Sequence, residues 1–165
     1  MGKLFLCAIL TCLVSSAFAD DPIAPPSKVT VCSPSGAYCA TSDPGTQETT
    51  LSRRGLPSPL WKIPGSYAWI LVADDGRRMI IGYPGLNLIP KEAAMDSEVF
   101  RIYGPTGLVK SIVLRDIYQS KSQLTETISH YEWEKGAYLD VKGHLVVERE
   151  DGRKVAFDPS TGNCI

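Results

Sequence analysis

Glycine-bearing turn signals recur along this chain at short intervals, and they limit its fold more than any other feature. Ser-Pro-Ser-Gly (33–36), Ala-Asp-Asp-Gly (73–76), Gly-Pro-Thr-Gly (104–107), Asp-Val-Lys-Gly (140–143) and Asp-Gly (151–152) each divide two short runs rich in β-branched and aromatic residues. Little room is left for a helix of ordinary length, and the pattern reads as consecutive antiparallel hairpins. Asp75-Gly76, between two apolar runs, predicts a type I′ turn. Only Leu114, Ile117, Tyr118, Lys121 and Leu124 keep helical spacing, which predicts one short helix near 114–119. The expected fold class is all-β: small stacked or propeller-like sheets, with a β-sandwich as the alternative and at most one short helix.

A second set of turns follows the hairpins: Ser-Asp-Pro-Gly-Thr (42–46), Tyr-Gly-Pro-Thr-Gly (103–107) and Phe-Asp-Pro-Ser-Thr-Gly (157–162). A strand, a glycine turn, a strand and then a turn of this kind resembles the blade of a β-propeller or a related β-meander. Three such units fall short of the 4–8 blades of a closed propeller. An open, curved stack of three small sheets, or a sandwich, is therefore expected. Asp-Asp-Gly-Arg-Arg-x-Ile-Ile-Gly-Tyr-Pro-Gly-Leu-Asn-Leu (74–88) and Ser-His-Tyr-x-Trp (129–133) also resemble exported bacterial β-meander proteins of unassigned function. That resemblance implies an exported β fold and brings no catalytic residues with it.

Export is also written in the first residues. Lys3 precedes an apolar run from Leu4 to Val14, and Ala17-Phe18-Ala19 supplies a small-x-small cleavage pattern. This is the layout of a signal peptide over 1–19, and the run is short of the ~20 apolar residues a spanning helix needs. Residues 20–28, Asp-Asp-Pro-Ile-Ala-Pro-Pro-Ser-Lys, read as an extended arm, and 29–165 as a single β domain. The expected location is periplasmic or secreted. Cleavage after Ala19 leaves roughly 146 residues, the size of one domain. The whole chain has a formal net charge of −1, and loss of Lys3 makes it one unit more negative. Such a balance argues against nucleic acid, which calls for a basic patch, and against electrostatic membrane binding. No second apolar run approaches spanning length, so no membrane span is expected.

Cys7 and Cys12 leave with the leader, and Cys32, Cys39 and Cys164 remain. If Ser35-Gly36 centres a hairpin, Cys32 falls opposite Cys39, with Cα atoms ~4.5–5.5 Å apart. A disulfide tolerates that separation, and an oxidising compartment favours it. Zinc would want four clustered ligands, and a redox motif would show Cys-x-x-Cys. A staple is expected. Cys164 is left over: it could join either of the others, stay free, or pair between chains.

Candidate chemistry is sparse. In a strand, His130, Glu132 and Glu134 would share one face. That suggests a metal or acid/base site, or simply the solvated side of a half-buried strand with Tyr131 and Trp133 inward. Ser129 precedes His130, and adjacent strand residues point to opposite faces, so no Ser-His pair is expected. His144, just past its turn, is expected to be exposed. No Gly-x-Ser-x-Gly or phosphate-binding loop occurs, and the paired carboxylates lie in turns where Asp serves its own backbone. No catalytic residue, metal or cofactor is expected.

Gly-Tyr-Pro-Gly-Leu-Asn-Leu-Ile-Pro (82–90) is the most unusual stretch, because its glycines and prolines oppose regular structure while four residues are large and apolar. It is either a plug on the core or a recognition surface. Tyr83, Leu86, Asn87 and Leu88 are the candidate partner-binding residues. Ser120 and Lys121, in the polar run 119–123, offer a second loop. Trp61, Tyr67 and Trp69 lie close by in sequence as interface anchors. The leading expectation is a non-catalytic binding protein whose partner is another exported or periplasmic protein. An inhibitor or immunity-type protein acting on a cell-wall-degrading enzyme is one form of it. The alternatives are a carbohydrate- or peptidoglycan-binding module stacking glycans on Trp61, Trp69 or Trp133, and a small hydrolase or metal enzyme using His130.

Overall fold

The computed structural model describes residues 27–165. The leader and residues 20–26 of the arm lie outside the described residues. The chain is all-β, in four small antiparallel sheets. Strands β1 (Val29–Cys32), β2 (Tyr38–Asp43), β3 (Glu48–Arg53) and β4 (Pro59–Pro64) form the first, each paired with the next. Next come β5 (Ile70–Val72), β6 (Met79–Gly82) and β7 (Leu88–Pro90), then β8 (Glu98–Gly104) and β9 (Gly107–Val113). The second sheet runs β5-β6-β8-β9, and β7 leaves it for another. After one helical turn, α1 (Leu114–Ile117), and a 3₁₀ turn at Lys121–Gln123, β10 (Thr125–Glu126) and β11 (His130–Glu132) join β7 in the order β10-β11-β7. The last sheet is β12 (Gly136–Leu139), β13 (Leu145–Glu148) and β14 (Lys154–Phe157).

Three sheets were expected from the repeat, and the fourth explains the difference. Its strands come from the segment 82–90, read as irregular, and from 125–132. Proline is tolerated in β7 because that strand lies at the sheet edge, where a missing N–H costs no ladder bond. Residues 130–139 form two strands rather than one because the backbone changes partner between them. Trp133 N donates to Asn87 O (3.1 Å), whereas Lys135 N donates to Glu148 O (2.8 Å).

The turns follow one local chemistry, though not the expected one. Asp75 lacks the positive φ that a type I′ turn requires. Instead Ala73 N donates to Arg78 O and Gly76 N to Ala73 O, both at 3.1 Å, closing a four-residue loop. Gly76 takes φ 67°, and Asp75 Oδ1 accepts Arg77 N at 2.8 Å. The first hairpin repeats this, with Ser33 N donating to Tyr38 O and Gly36 N to Ser33 O. Its register sets Cys32 opposite Cys39 in a non-hydrogen-bonded pair, the closer kind. The two are disulfide-bonded with Cα atoms 3.9 Å apart. Cys164 is free and exposed, opposite Phe157 at the open edge of β14.

Alternation along the strands makes two cores. Ala40, Leu51 and Ile63 of the first sheet pack against Ile70, Val72, Met79 and Ile81 of the second. Ile80, Phe100, Ile102 and Ile112, on the second sheet's other face, pack against Ile89, Trp133, Leu145 and Phe157 of the remaining two. Strand β6 is thus buried on both faces, which is why its four residues read as an uninterrupted apolar run. Each Val, Leu, Ile, Met and Phe side chain among these adds about 1.5–3 kcal/mol when fully buried.

Candidate functional site

The candidate interface is built on the crossover from β6 to β7. Leu86 N donates to Tyr83 O (3.0 Å) and Leu88 N to Gly85 O (3.1 Å), so residues 83–88 fold as two successive tight turns. Leu86 adopts φ 58°, a conformation that a branched residue takes only when its surroundings impose it. Trp133 supplies the constraint. Its indole is fully buried, packs edge-on against Phe100 at 5.3 Å, and donates Nε1–H to Leu86 O at 2.9 Å. The backbone is therefore tied to the core while the Leu86 side chain stays 53% exposed and that of Leu88 38%. The stretch is plug and surface at once: Ile89 is buried, and Tyr83 and Asn87 are half-buried.

Beside this loop lies a groove of about 340 Å³ lined by Tyr67, Trp69, Tyr83, Pro84, Leu86 and Ser27. The connector that carries Tyr67 and Trp69 is held by the first sheet. Ser42 Oγ accepts Tyr67 N (2.6 Å), and Thr49 Oγ1 donates to Gly65 O (2.8 Å). Those two bonds account for a buried serine and a buried threonine in strands β2 and β3. Gly82 forms the floor, where a Cβ would lie 2.3 Å from the Trp69 ring. Trp69 in turn packs on Phe100, ring centroids 5.4 Å apart.

The structure brings Tyr83 and Leu86 together in this groove and places Leu88 at the adjoining strand start. Ser120 and Lys121 sit elsewhere, past the other end of β7. Lys121 Nζ donates to Lys91 O (2.8 Å), and Ser120 Oγ bonds Ser122 Oγ. They form a separate surface. Of the tryptophans, Trp133 has no exposed face to offer a glycan, a correction to its candidacy as a platform. Trp61 is half-buried with Nε1–H donated to Gly76 O, and Trp69 is half-buried in the groove.

A larger cleft, about 640 Å³, opens where the hairpin turns converge, with Asp74, Asp75, Asp140 and Asp158 at its rim beside Arg78 and Lys142. Each of the four carboxylates serves a turn. Asp74 accepts Ser35 Oγ–H and N–H, and those bonds lower its pKa. Asp140 is lowered chiefly by the His144 backbone N–H, and Asp158 by the Ser160 hydroxyl. Asp75 caps Arg77 N–H. For Asp75, Asp140 and Asp158 the role is the local one expected of Asp in turns, whereas Asp74 does not serve its own backbone and instead ties the turn at 73–76 to the turn at 33–36. His144 is half-buried rather than exposed, because its Nδ1 lies 3.1 Å from Asp140 Oδ2. Among the described residues no group of three metal-ligating side chains gathers.

Two expectations around His130 are corrected. Ser129 Oγ lies 2.9 Å from His130 Nδ1. Strand alternation does not separate them, since β11 begins only at His130 and Ser129 belongs to the preceding turn. No acidic side chain among the described residues accepts a hydrogen bond from that imidazole. Glu134 does not share a solvated face with His130 and Glu132: it is 5% exposed and its Oε2 meets no hydrogen-bonding partner. Burial pushes its pKa up to about 7. It sits at the passage from the third sheet to the fourth, which no local pattern announces.

These features define an all-β protein of four stacked sheets with an apolar groove beside a rigid, leucine-bearing loop. Comparison of the chain with known protein families and with curated proteins finds no match.

Proposed function

We propose that this chain is a non-catalytic exported binding protein that engages another exported protein through the Tyr83–Leu88 loop and its groove. In its most specific form the reading is an inhibitor or immunity-type protein that blocks a cell-wall-degrading enzyme. One observation carries it: Leu86 is held at positive φ with its carbonyl clamped by Trp133 while its side chain faces solvent. A loop folded only to cover the core would bury that leucine. Fixing the backbone that carries an apolar side chain before contact removes ordering costs that binding would otherwise carry, about 1–2 kcal/mol for a residue's backbone. Leucines 86 and 88 lie together at the surface, where a partner can cover both.

The test is capture of envelope and co-secreted proteins on the chain from Asp20 to Ile165, beside its Leu86→Ser/Leu88→Ser variant. Both side chains are exposed, so the variant should unfold at the same urea concentration as the parent. One stoichiometric protein partner, bound at least tenfold more weakly by the variant, is expected. Equal capture by both proteins would refute the reading, and retention on purified cell wall without a protein partner would favour the glycan-binding alternative.

A further inference from the structure

We propose that Glu134 is a proton-controlled latch on the Leu86 loop: while its carboxyl holds a proton the Trp133 clamp stays closed, and loss of that proton opens the third sheet locally and frees the loop. Glu134 directly follows the clamp residue. On one side of it, Trp133 donates N–H to Asn87 O (3.1 Å) and Nε1–H to Leu86 O (2.9 Å), and its carbonyl accepts the Tyr118 hydroxyl. On the other, Lys135 N donates to Glu148 O (2.8 Å). The backbone is thus pinned on both sides of a side chain that is 5% exposed and whose Oε2 meets no hydrogen-bonding partner. A buried charge without a partner is costly. Bringing it to water moves residues 133–135, which carry the bonds to Asn87 O and Leu86 O.

The charged groups on the elements around Glu134 are committed elsewhere. Arg149, just past β13, donates to Ile117 O (3.2 Å) and Asp151 (2.8 Å), stacks over the Tyr118 ring at 4.2 Å, and makes no ion pair with Glu134. Glu148 of β13 faces Lys154 at 3.6 Å. In α1, Arg115 pairs with Asp96 (3.2 Å) and Asp116 accepts Val113 N (2.9 Å). Along the chain itself, Lys135 is exposed and Glu132 brings no cation. Burial alone therefore raises the Glu134 carboxyl from the ordinary 4.5 to about 7. Because the closed state holds the proton more tightly, opening is hardest below about 4.5 and becomes easier as pH climbs to about 7. The part that yields is the smallest sheet. Strands β10, β11 and β7 have two, three and three residues, and β10 and β7 are both edges. Units with so little ladder open before the rest of a fold.

The experiment is hydrogen exchange by NMR from pH 5 to 8 on the chain from Asp20 to Ile165, beside its Glu134→Gln and Glu134→Met variants, neither of which can ionise at this position. Dividing each parent rate by the variant rate at the same pH removes the chemical pH dependence of exchange and the contribution of His130, which all three proteins share. At the Trp133 indole N–H that ratio should rise about 70-fold between pH 5 and pH 8, since each pH unit between the open and closed pKa values is worth tenfold. Exchange there should also change little in dilute urea, because a local opening exposes little surface, while exchange at the Leu51 amide in β3 climbs with urea. A ratio that stays flat with pH, or a Trp133 rate with the same urea dependence as Leu51, would overturn the proposal. Only the consequence for binding rests on the proposed function: partner capture should weaken from pH 5 to pH 8 in the parent and hold steady in Glu134→Gln. A working latch together with capture unaffected by Leu86→Ser/Leu88→Ser would leave the latch standing and sink the binding function.

Discussion

Replacing Glu134 by Gln separates burial of this carboxyl from every other pH-dependent feature of the chain. The carboxyl is 5% exposed, its Oε2 has no hydrogen-bonding partner, and burial raises its pKa from the ordinary 4.5 to about 7. A group whose folded pKa is raised gives stability that is complete below about 4.5 and disappears as pH rises through about 7, because the folded state then has to hold a charge that water would solvate. Each pKa unit corresponds to 1.36 kcal/mol, so the loss between pH 5 and pH 8 comes to about 2.5 kcal/mol. Glutamine keeps the shape and cannot ionise. Urea unfolding of parent and variant at half-unit steps from pH 5 to 8 should show their stability difference moving by that amount in the variant's favour. The lowered aspartates 43, 74, 140 and 158 titrate below this range and are the same in both proteins. A difference that stays flat from pH 5 to 8 would mean that Glu134 is charged and solvated or paired throughout, and the argument from its burial would fail.

Removing the Cys32–Cys39 disulfide by a double serine substitution should cost about 2.5 kcal/mol, the loop-closure value for the eight or so residues it encloses; the urea midpoint with and without reductant reads it. Gly76→Ala should cost roughly 2 kcal/mol or more. It forces a β-carbon into a left-handed turn (φ 67°), 2.4 Å from the Tyr38 ring, and thermal unfolding would show it. Trp133→Phe should lose about 1–3 kcal/mol and, more tellingly, release Leu86 O. Hydrogen exchange at the Leu86 and Leu88 amides should then quicken more than at β8 and β9; uniform quickening would show that Trp133 is no specific clamp.

What could be read from the sequence was what neighbours in the chain decide. The turns at 33–36, 73–76 and 140–143, and the antiparallel hairpins they join, depend on residues a few positions apart. The Cys32–Cys39 pairing followed from a hairpin register for the same reason. Even the misjudged Asp75-Gly76 turn kept its place, since an aspartate and a glycine permit more than one tight geometry. The candidate loop was partly legible: four apolar residues among glycines and prolines marked 82–90 as unusual, but could not say which would face outward. That choice was made 47 residues away, by the Trp133 indole bonding to Leu86 O. Strand β7, the break between β11 and β12, and the burial of Glu134 likewise depend on which backbone partner each segment finds across the fold. Local pattern determines turns and faces because short-range sterics and alternation act within a few residues. Which polar group is sealed from water, and which leucine is left in it, is decided by packing between sheets, and that exists only once distant segments have met.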